Sequence, residues 1–458
     1  MIEDTIAAIA TPLGEGGIGI VRLSGPKAVE IAREIFRPRT PKDLTKVPNF
    51  TLHLGEILDV NGKVIDEVLL SIMRGPRSYT AEDVIEINCH GGPYVLREVL
   101  RTVLAKGARL AEPGEFTRRA FLNGRIDLVQ AEAVIEIIRA KSRTGLKAAL
   151  DQLGGELSKE IERLGQALLA VMAQVEASID FPEEVDFSGS EIFNSVKKAL
   201  GGVEALLAKW DEGRLIREGL RLAIVGRPNV GKSSLLNALL QEERAIVSDI
   251  PGTTRDTIEE ILRIGGIMCR VVDTAGLRET EDSLERVGVE RTKREIARAD
   301  LLLIVIDVAA GVQEGDRDII DGVGDKPAVI VANKVDLIEK IPYKEVEDFA
   351  GGRPWVAISA QNGRGIDELR KKIGEVAMNS QPLPKEDELI LLRERHRDAL
   401  ERCRGHLLDF IKGWEENIPL DLVAIDLRAA WQALGEITGQ TTTEDLLDKI
   451  FSDFCIGK

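Results

Sequence analysis

The sequence is short of the residues that build disulfide scaffolds and metal centres. Four cysteines, Cys89, Cys269, Cys403 and Cys455, are scattered over 458 residues without a C-x-x-C pair, and only four histidines accompany them. This excludes a disulfide framework and supports no zinc site. Basic residues are outnumbered: 61 Lys and Arg stand against 77 Asp and Glu, a formal net charge of −16. That excludes a general polyanion-binding surface, so a nucleic acid would have to meet a local basic patch. No stretch approaches the roughly 18 consecutive apolar residues of a membrane span, and the N-terminus lacks the charged-then-apolar pattern of a secretory leader. The expectation is a cytoplasmic protein without a membrane span, whose length suggests about three domains.

What the chain does have is a phosphate-binding loop. Gly226-Arg227-Pro228-Asn229-Val230-Gly231-Lys232-Ser233 fills every position of G-x-x-x-x-G-K-S between an apolar strand and a helix. The glycines let backbone N–H groups converge on phosphate oxygens, Lys232 reaches the terminal phosphates, and Ser233 offers its hydroxyl to Mg²⁺. The helix that follows turns its positive dipole end toward the anion.

Three patterns divide the chain. Up to about residue 118, β-like runs (5–9, 18–23, 68–73, 84–88) alternate with helical stretches (27–36, 94–106), as in an α+β domain. Leu146, Leu150, Leu153, Leu157, Ile161, Leu164, Leu168, Val171 and Val175 recur at three- and four-residue steps, which predicts one long helix ended by Pro182. A further helix is expected over about 191–212. Helical pattern returns after about residue 381, through 389–414 and 420–454. The reading is an α+β N-terminal domain over 1–118 and an all-α helical domain over 119–216 and 381–458, interrupted by an inserted α/β P-loop domain over 217–380.

Within the insertion, strands at 220–225, 268–272, 301–307, 328–332 and 356–358 alternate with helices, which favours a mostly parallel sheet covered on both faces. The motifs fall at strand ends, where such sheets bind ligands. Asp273-Thr274-Ala275-Gly276 brings a carboxylate toward the Mg²⁺ shell, and Gly252-Thr253-Thr254 holds a switch threonine. Asn333-Lys334-Val335-Asp336 reads the base, because the Asp336 carboxylate accepts both guanine N1–H and the exocyclic amine. Ser359-Ala360-Gln361 adds backbone contacts to guanine O6. Together these predict a GTPase, and this domain resembles the Era and Der GTPases. The expected nucleotide contacts are Asn229, Val230, Gly231, Lys232, Ser233, Ser234, Ser248, Asp249, Ile250, Pro251, Gly252, Thr253, Thr254, Asp273, Thr274, Ala275, Gly276, Asn333, Lys334, Val335, Asp336, Ser359, Ala360 and Gln361.

Two departures from the Ras arrangement carry mechanism. Leu277 stands where a water-orienting glutamine would follow D-T-A-G, so another group must act; Glu279, Glu281, Asp282 and Glu285 are the nearby acids, and spacing does not choose among them. No obvious arginine finger is present either. A monovalent cation held by the Asn229 side chain and carbonyls of the 248–253 loop would neutralise the developing charge.

The flanks carry further motifs: Asp4-Thr5-Ile6-Ala7-Ala8-Ile9-Ala10-Thr11-Pro12, Gly16-Gly17-Ile18-Gly19-Ile20-Val21-Arg22-Leu23-Ser24-Gly25-Pro26, Ser78-Tyr79-Thr80-Ala81-Glu82-Asp83, Cys89-His90-Gly91-Gly92, the run from Glu112 to Gly124, and the terminal Cys455-Ile456-Gly457-Lys458. In these the chain resembles the MnmE (TrmE) family of tRNA-modification GTPases over its whole length. The resemblance implies a homodimer whose N-terminal domain binds a tetrahydrofolate one-carbon donor (5-formyl- or methylene-tetrahydrofolate). It implies a potassium-activated GTPase driven by G-domain dimerisation, and a flavoprotein partner, MnmG (GidA), in a heterotetrameric or larger complex. Their joint product is an aminomethyl or carboxymethylaminomethyl group on C5 of the wobble uridine, U34, of certain tRNAs. It also implies folate contacts at Arg22, Glu82, Arg125 and Lys458, with arginine at 125 in place of the usual lysine. It implies potassium ligands at Asn229, Ser248, Ile250 and Thr253, Mg²⁺ ligands at Ser233 and Thr254, and Glu285 as the water-orienting catalytic residue. Cys455 fits either a tRNA-modification thiol or a packed tail, and His90 either a base or a hydrogen-bonded turn residue. The rival from another class is a regulatory RNA- or ribosome-associated assembly GTPase of the Era/Der kind, against which the acidic balance and the N-terminal signature weigh.

Overall fold

A computed structural model describes residues 4–140, 142–180, 189–210, 219–241, 260–264, 267–271, 296–380 and 393–458. They form two units, one built from Met1–Arg139, Ala149–Glu204 and Asp398–Lys458, the other from Ala140–Ala148 and Ala205–Arg397.

The first unit opens with a seven-stranded sheet of β1 (Ile6–Ile9), β2 (Gly19–Ser24), β3 (Phe36–Pro38), β4 (Thr51–Leu58), β5 (Val64–Met73), β6 (Val84–Cys89) and β7 (Arg109–Leu110). Its order is β3-β4-β5-β6-β2-β1-β7, antiparallel except for the β1–β7 pair. The period of two along each strand decides what faces where. Ala7, Val21, Leu23, Ile85 and Ile87 are buried with Ile31 and Ile35 of α1 (Ala28–Ile35) and Val99 and Val103 of α2 (Pro93–Ala105). Ile6 and Ala8 turn the other way and pack on Phe116. Arg22, paired in register with Ala8 on one side and Glu86 on the other, is thereby carried to that second face.

Helices α3 (Glu115–Leu122), α4 (Leu128–Arg139), α5 (Arg143–Leu153), α6 (Glu156–Asp180) and α7 (Gly189–Leu207) follow. The helix expected to run unbroken from Leu146 to Val175 is therefore two, because Gly154-Gly155 interrupts it with Gly155 at φ 84°. An amphipathic stripe passes through such a break without losing its phase, so periodicity alone could not show it. On α6, Leu157, Ile161, Leu164, Leu168, Val171 and Val175 are buried, each contributing about 1.5–3 kcal/mol of burial.

The second unit holds a six-stranded sheet of β8 (Leu220–Val225), β9 (Glu260–Ile264), β10 (Ile267–Val271), β11 (Leu301–Asp307), β12 (Ala328–Asn333) and β13 (Trp355–Ala357), in the order β13-β12-β11-β8-β10-β9. Only β9 and β10 run antiparallel. One face is covered by α8 (Lys232–Gln241) and α11 (Ile366–Ser380), whose Leu235, Leu239, Leu369 and Ile373 are fully buried. The other is covered by α9 (Glu314–Val323) and α10 (Tyr343–Ala350) through Val323, Val346 and Ala350. Burial on both faces explains the unbroken apolar run Leu301–Ile306.

The chain returns to the first unit within α12 (Glu394–Glu415), at Asp398, and continues there in α13 (Leu420–Thr438) and α14 (Glu444–Ser452). The helix expected over 420–454 is likewise divided, here at Gly439 with φ 89°. In the first unit α13 packs along α6, and α14 against α3. Phe451 and Phe454 join Leu128, Ala131 and Ile135 in one apolar cluster.

A deeply buried charge of the first unit is Arg119 on α3, 1% exposed. Its NH2 donates to Asp4 Oδ1 at 2.7 Å and Glu115 Oε1 at 2.9 Å, and its NH1 lies 3.3 Å from Glu82 Oε2. Arg109 completes the set, paired with Asp4 at 2.7 Å and Glu115 at 2.6 Å. Burial pushes the Glu115 carboxyl up, but hydrogen bonds from Arg109, the Glu112 amide and Arg119 outweigh it and hold it below the usual glutamate value. Asp4 is held low by the same two arginines against its own burial. A carboxyl whose folded value is depressed stabilises the fold above its unfolded value and loses that contribution as pH falls through the folded one. The unfolding midpoint of the protein is therefore expected to drop between about pH 5 and pH 3. Glu115→Gln should make this drop shallower in a thermal melt series; parallel slopes for the two proteins would count against the network's role.

Candidate functional site

In the second unit the phosphate loop leaves the carboxyl end of β8, the strand from which the chain passes to β10 on one side and β11 on the other. Asn229 adopts φ 63° and Gly231 φ 97°. A Cβ on Gly231 would lie 2.3 Å from Asn333 Nδ2, so only glycine fits the closest approach. Lys232 Nζ donates to the carbonyls of Gly226 and Arg227, each at 2.8 Å, and thus lies within the loop it serves. Val230 is buried, while Asn229, Ser233 and Ser234 are exposed.

Asn333, 2% exposed at the end of β12, joins two of the predicted motifs. Its Nδ2 donates to Val230 O at 2.8 Å, and its Oδ1 accepts from the Ala360 amide at 3.0 Å. The phosphate loop, N-K-V-D and S-A-Q are thereby tied through one side chain. Lys334, left-handed at φ 68°, pairs with Asp307 at 2.7 Å, and Val335 donates its amide to Ile358 O. Asp336 and Gln361 stand exposed at the same strand ends, and Ser359 is buried. The exposed Asp336 carboxylate can accept the donors of a base edge, while the Ser359 and Ala360 amides donate within the protein, to Arg364 O and Asn333 Oδ1.

Sequence reasoning passed over Arg227. It pairs with Asp316 at 2.8 Å and donates to Gln313, clamping the loop to the N-terminus of α9. Asp316 is 1% exposed and also accepts from the Gln313 amide as a capping box. The box is readable in sequence, but its bond to a loop residue far upstream is not. Ser248, Asp249, Ile250, Pro251, Gly252, Thr253, Thr254, Asp273, Thr274, Ala275, Gly276 and Glu285 lie outside the described residues, as do Glu279, Glu281 and Asp282.

In the first unit, the second face of the sheet collects the other predicted residues. Arg22 donates to Glu86 through Nε at 2.8 Å and to Gly457 O at 3.1 Å. Its guanidinium lies 5.6 Å from the Tyr79 ring centroid and 5.7 Å from that of Phe116. Arg125 approaches the same tyrosine, 5.0 Å from the ring, and donates to Tyr79 O at 2.6 Å. The Tyr79 hydroxyl is within 2.8 Å of Thr117 Oγ1, and burial pushes its titration up. The tail reaches this place because Gly457, at φ 94°, packs its backbone on β1: a Cβ there would meet Ile9 O at 2.5 Å. Burial and the Arg22 charge draw Lys458 below the usual lysine value, against the pull of Glu86. Glu82 sits beside this group, bound to Ser24 Oγ at 2.7 Å and facing Arg119.

The structure thus brings Arg22, Arg125 and Lys458 toward Tyr79 and Glu86, with Glu82 on the neighbouring loop. Tyr79, Glu86 and Arg119 were not named as site residues. Tyr79 and Arg119 lie inside motifs already noted, and Glu86 is signalled only by its cross-strand register. Among the thiols, burial and Asp66 push Cys89 up to about 12, and burial alone does so for Cys403. Cys455 is exposed, and its carbonyl accepts from the Gly114 and Lys458 amides. His90 takes the hydrogen-bonded form: its ring Nδ1 lies 2.7 Å from Asp66 Oδ1 while its amide donates to Oδ2 at 2.8 Å. Among the described residues no helix is long and apolar enough to cross a membrane.

The chain is similar to known proteins along its length. The family model described as GTP-binding protein TrmE N-terminus matches residues 5–125, and that of the MnmE helical domain matches 128–455. The tRNA modification GTPase MnmE of Moorella thermoacetica is 58% identical over 462 residues, and that of Desulforamulus reducens 50% over 463, each covering 100% of both chains. A crystal structure of Era with MgGDPNP and a 16S ribosomal RNA fragment aligns over 41% of this chain and 66% of its own, at 32% identity and a TM-score of 0.29. With family models over most of its length and relatives alike from end to end, this chain belongs to the MnmE family of tRNA modification GTPases.

Proposed function

We propose that this GTPase couples GTP hydrolysis to folate-dependent modification of C5 of the wobble uridine, U34, of certain tRNAs, as a cytoplasmic homodimer working with the flavoprotein MnmG. The product is an aminomethyl or carboxymethylaminomethyl group. We assign the folate and dimerisation role to residues 1–118, the nucleotide role to 217–380, and the helical domain to 119–216 and 381–458. The observation that supports this most directly is the end-to-end likeness to tRNA modification GTPases, 58% identical over the whole of both chains.

The described residues suit part of what the reading requires, and the assignments to Ser248, Ile250, Thr253, Thr254 and Glu285 rest on the motif resemblance. The phosphate loop keeps a cradle at Gly231 that a Cβ would fill, with Lys232 inside it, which suits a nucleoside triphosphate. Asp336 accepts the guanine N–H groups while the loop beginning at Ser359 offers its backbone to O6. Ser233 and Thr254 would hold Mg²⁺, and Asn229 with the carbonyls of Ser248, Ile250 and Thr253 would hold K⁺; bound there, the cations neutralise phosphate charge. Glu285 orients the attacking water in place of the missing glutamine. On the sheet face, Tyr79 flanked by Arg22 and Arg125 suits a flat heteroaromatic ring, and Glu82 suits its N–H donors. The cations Arg22, Arg125 and Lys458 suit the glutamate tail of a reduced folate, which supplies the one-carbon unit when bound.

Nucleoside analysis of tRNA from cells lacking this protein tests the whole reading: the C5 substituent of U34 should be lost, and its persistence would leave only a GTPase. Asp336→Asn should lower GTP affinity by about tenfold or more and raise that for xanthosine triphosphate, because an amide cannot accept both guanine donors; unaltered selectivity in a competition titration would refute the base assignment. Glu285→Ala should slow turnover by about a hundredfold or more while leaving nucleotide affinity within about twofold, since only transition-state positioning is removed. Wild-type turnover in that variant would move the water-orienting role elsewhere.

A further inference from the structure

Glu82 is the one carboxylate of the Arg119 network whose partners do not use it up. Asp4, Glu82 and Glu115 face the guanidiniums of Arg109 and Arg119, so one negative charge is left over. The short contacts of Arg119 and Arg109 go to Asp4 and Glu115, at 2.6–2.9 Å. Glu82 receives only the long side of the Arg119 fork, 3.3 Å to Oε2 and 3.4 Å to Oε1.

Its other described side-chain partner is a hydroxyl with a defined direction. Ser24 Oγ is 2.7 Å from Glu82 Oε2 and 2.7 Å from Thr80 Oγ1. A hydroxyl has one proton, so Ser24 donating to Glu82 obliges Thr80 to donate to Ser24. Ser24 and Thr80 are both fully buried, which leaves no water to compete for this relay. The Glu82 side chain keeps 14% exposure, and its Oε1 has, among the described residues, only the 3.4 Å contact. A carboxylate fixed through one oxygen and lightly held on the other keeps acceptor capacity on that second oxygen.

We infer that Arg119 and Ser24 are positioning residues for the one-carbon donor: they hold the Glu82 carboxylate so that Oε1 faces the N–H donors of the folate ring. The inference rests on the proposed folate reading and adds to it the device that aims Glu82. Neither residue touches the ligand; both act through Glu82, so their effects depend on its being there.

The test is titration of the full-length protein with 5-formyltetrahydrofolate. Glu82→Gln should weaken binding by about a hundredfold, and Ser24→Ala, which removes one hydrogen bond to a charged group, by about tenfold. The double variant should bind no more weakly than Glu82→Gln alone, a non-additivity that a merely structural serine would not produce. Arg119→Lys keeps the charge but loses the fork and should also cost about tenfold; should it fail to fold, the serine cycle decides. Wild-type binding in Ser24→Ala, or losses that multiply in the double variant, would overturn the inference while a weakened Glu82→Gln leaves the folate reading standing. No effect of Glu82→Gln would overturn the inference and the Glu82 assignment, and no binding by the wild type would overturn the folate reading as well.

Discussion

A guanidinium taken out of water has to be met by anions, and the first unit is arranged around that requirement at Arg119. Losing a partner from such a group leaves a buried charge uncompensated, a cost of about 3–5 kcal/mol. Its partners are drawn from three places: Asp4 ahead of β1, Glu82 on the loop between β5 and β6, and Glu115 one turn back on α3. The same contacts therefore set the start of the sheet and the seating of the Ser78–Asp83 loop against α3. Tyr79 and Glu82 are carried on that loop, so its position decides whether the second face of the sheet is a site or merely a surface.

The nucleotide unit uses a neutral residue for the comparable purpose. Asn333 offers both a donor and an acceptor, and it spends them on the backbone of Val230 and of Ala360. An aspartate in its place would have no N–H for Val230, and an apolar residue would strand both backbone groups in a buried position. The phosphate-loop motif and the S-A-Q segment thus share one support. The Arg227–Asp316 pair adds a second tie to the loop.

The C-terminus reaches the sheet with only a few residues of tail. Gly457 comes within contact of the β1 backbone because it has no Cβ, and its carbonyl accepts from Arg22. That contact brings the Lys458 amine beside Arg22 and Glu86, where burial and a neighbouring cation lower its proton affinity. Cys455, three residues earlier, stays exposed with its backbone tied to Gly114 and Lys458.

Much of this is legible in the order of the residues. Phosphate loops, base-reading motifs and sheet strands depend on residues close in sequence, so Gly226–Ser233, Asn333–Asp336 and the alternation of strand and helix over 220–358 announced the nucleotide unit. The flanking motifs likewise declared the family. What only the folded chain decided depends on contacts between distant residues. The breaks at Gly155 and Gly439 divide stripes whose periodicity runs straight through them. The strand Thr51–Leu58 passed unnoticed, though it forms the longest hairpin pairing of its sheet. The meeting of Arg22 with Glu86 and Gly457, and of Arg119 with Asp4 and Glu82, is set by strand register and helix packing, which no local pattern encodes. Local chemistry was written in the order of the residues; which charge answers which was settled by burial, because only there must every ion find its partner.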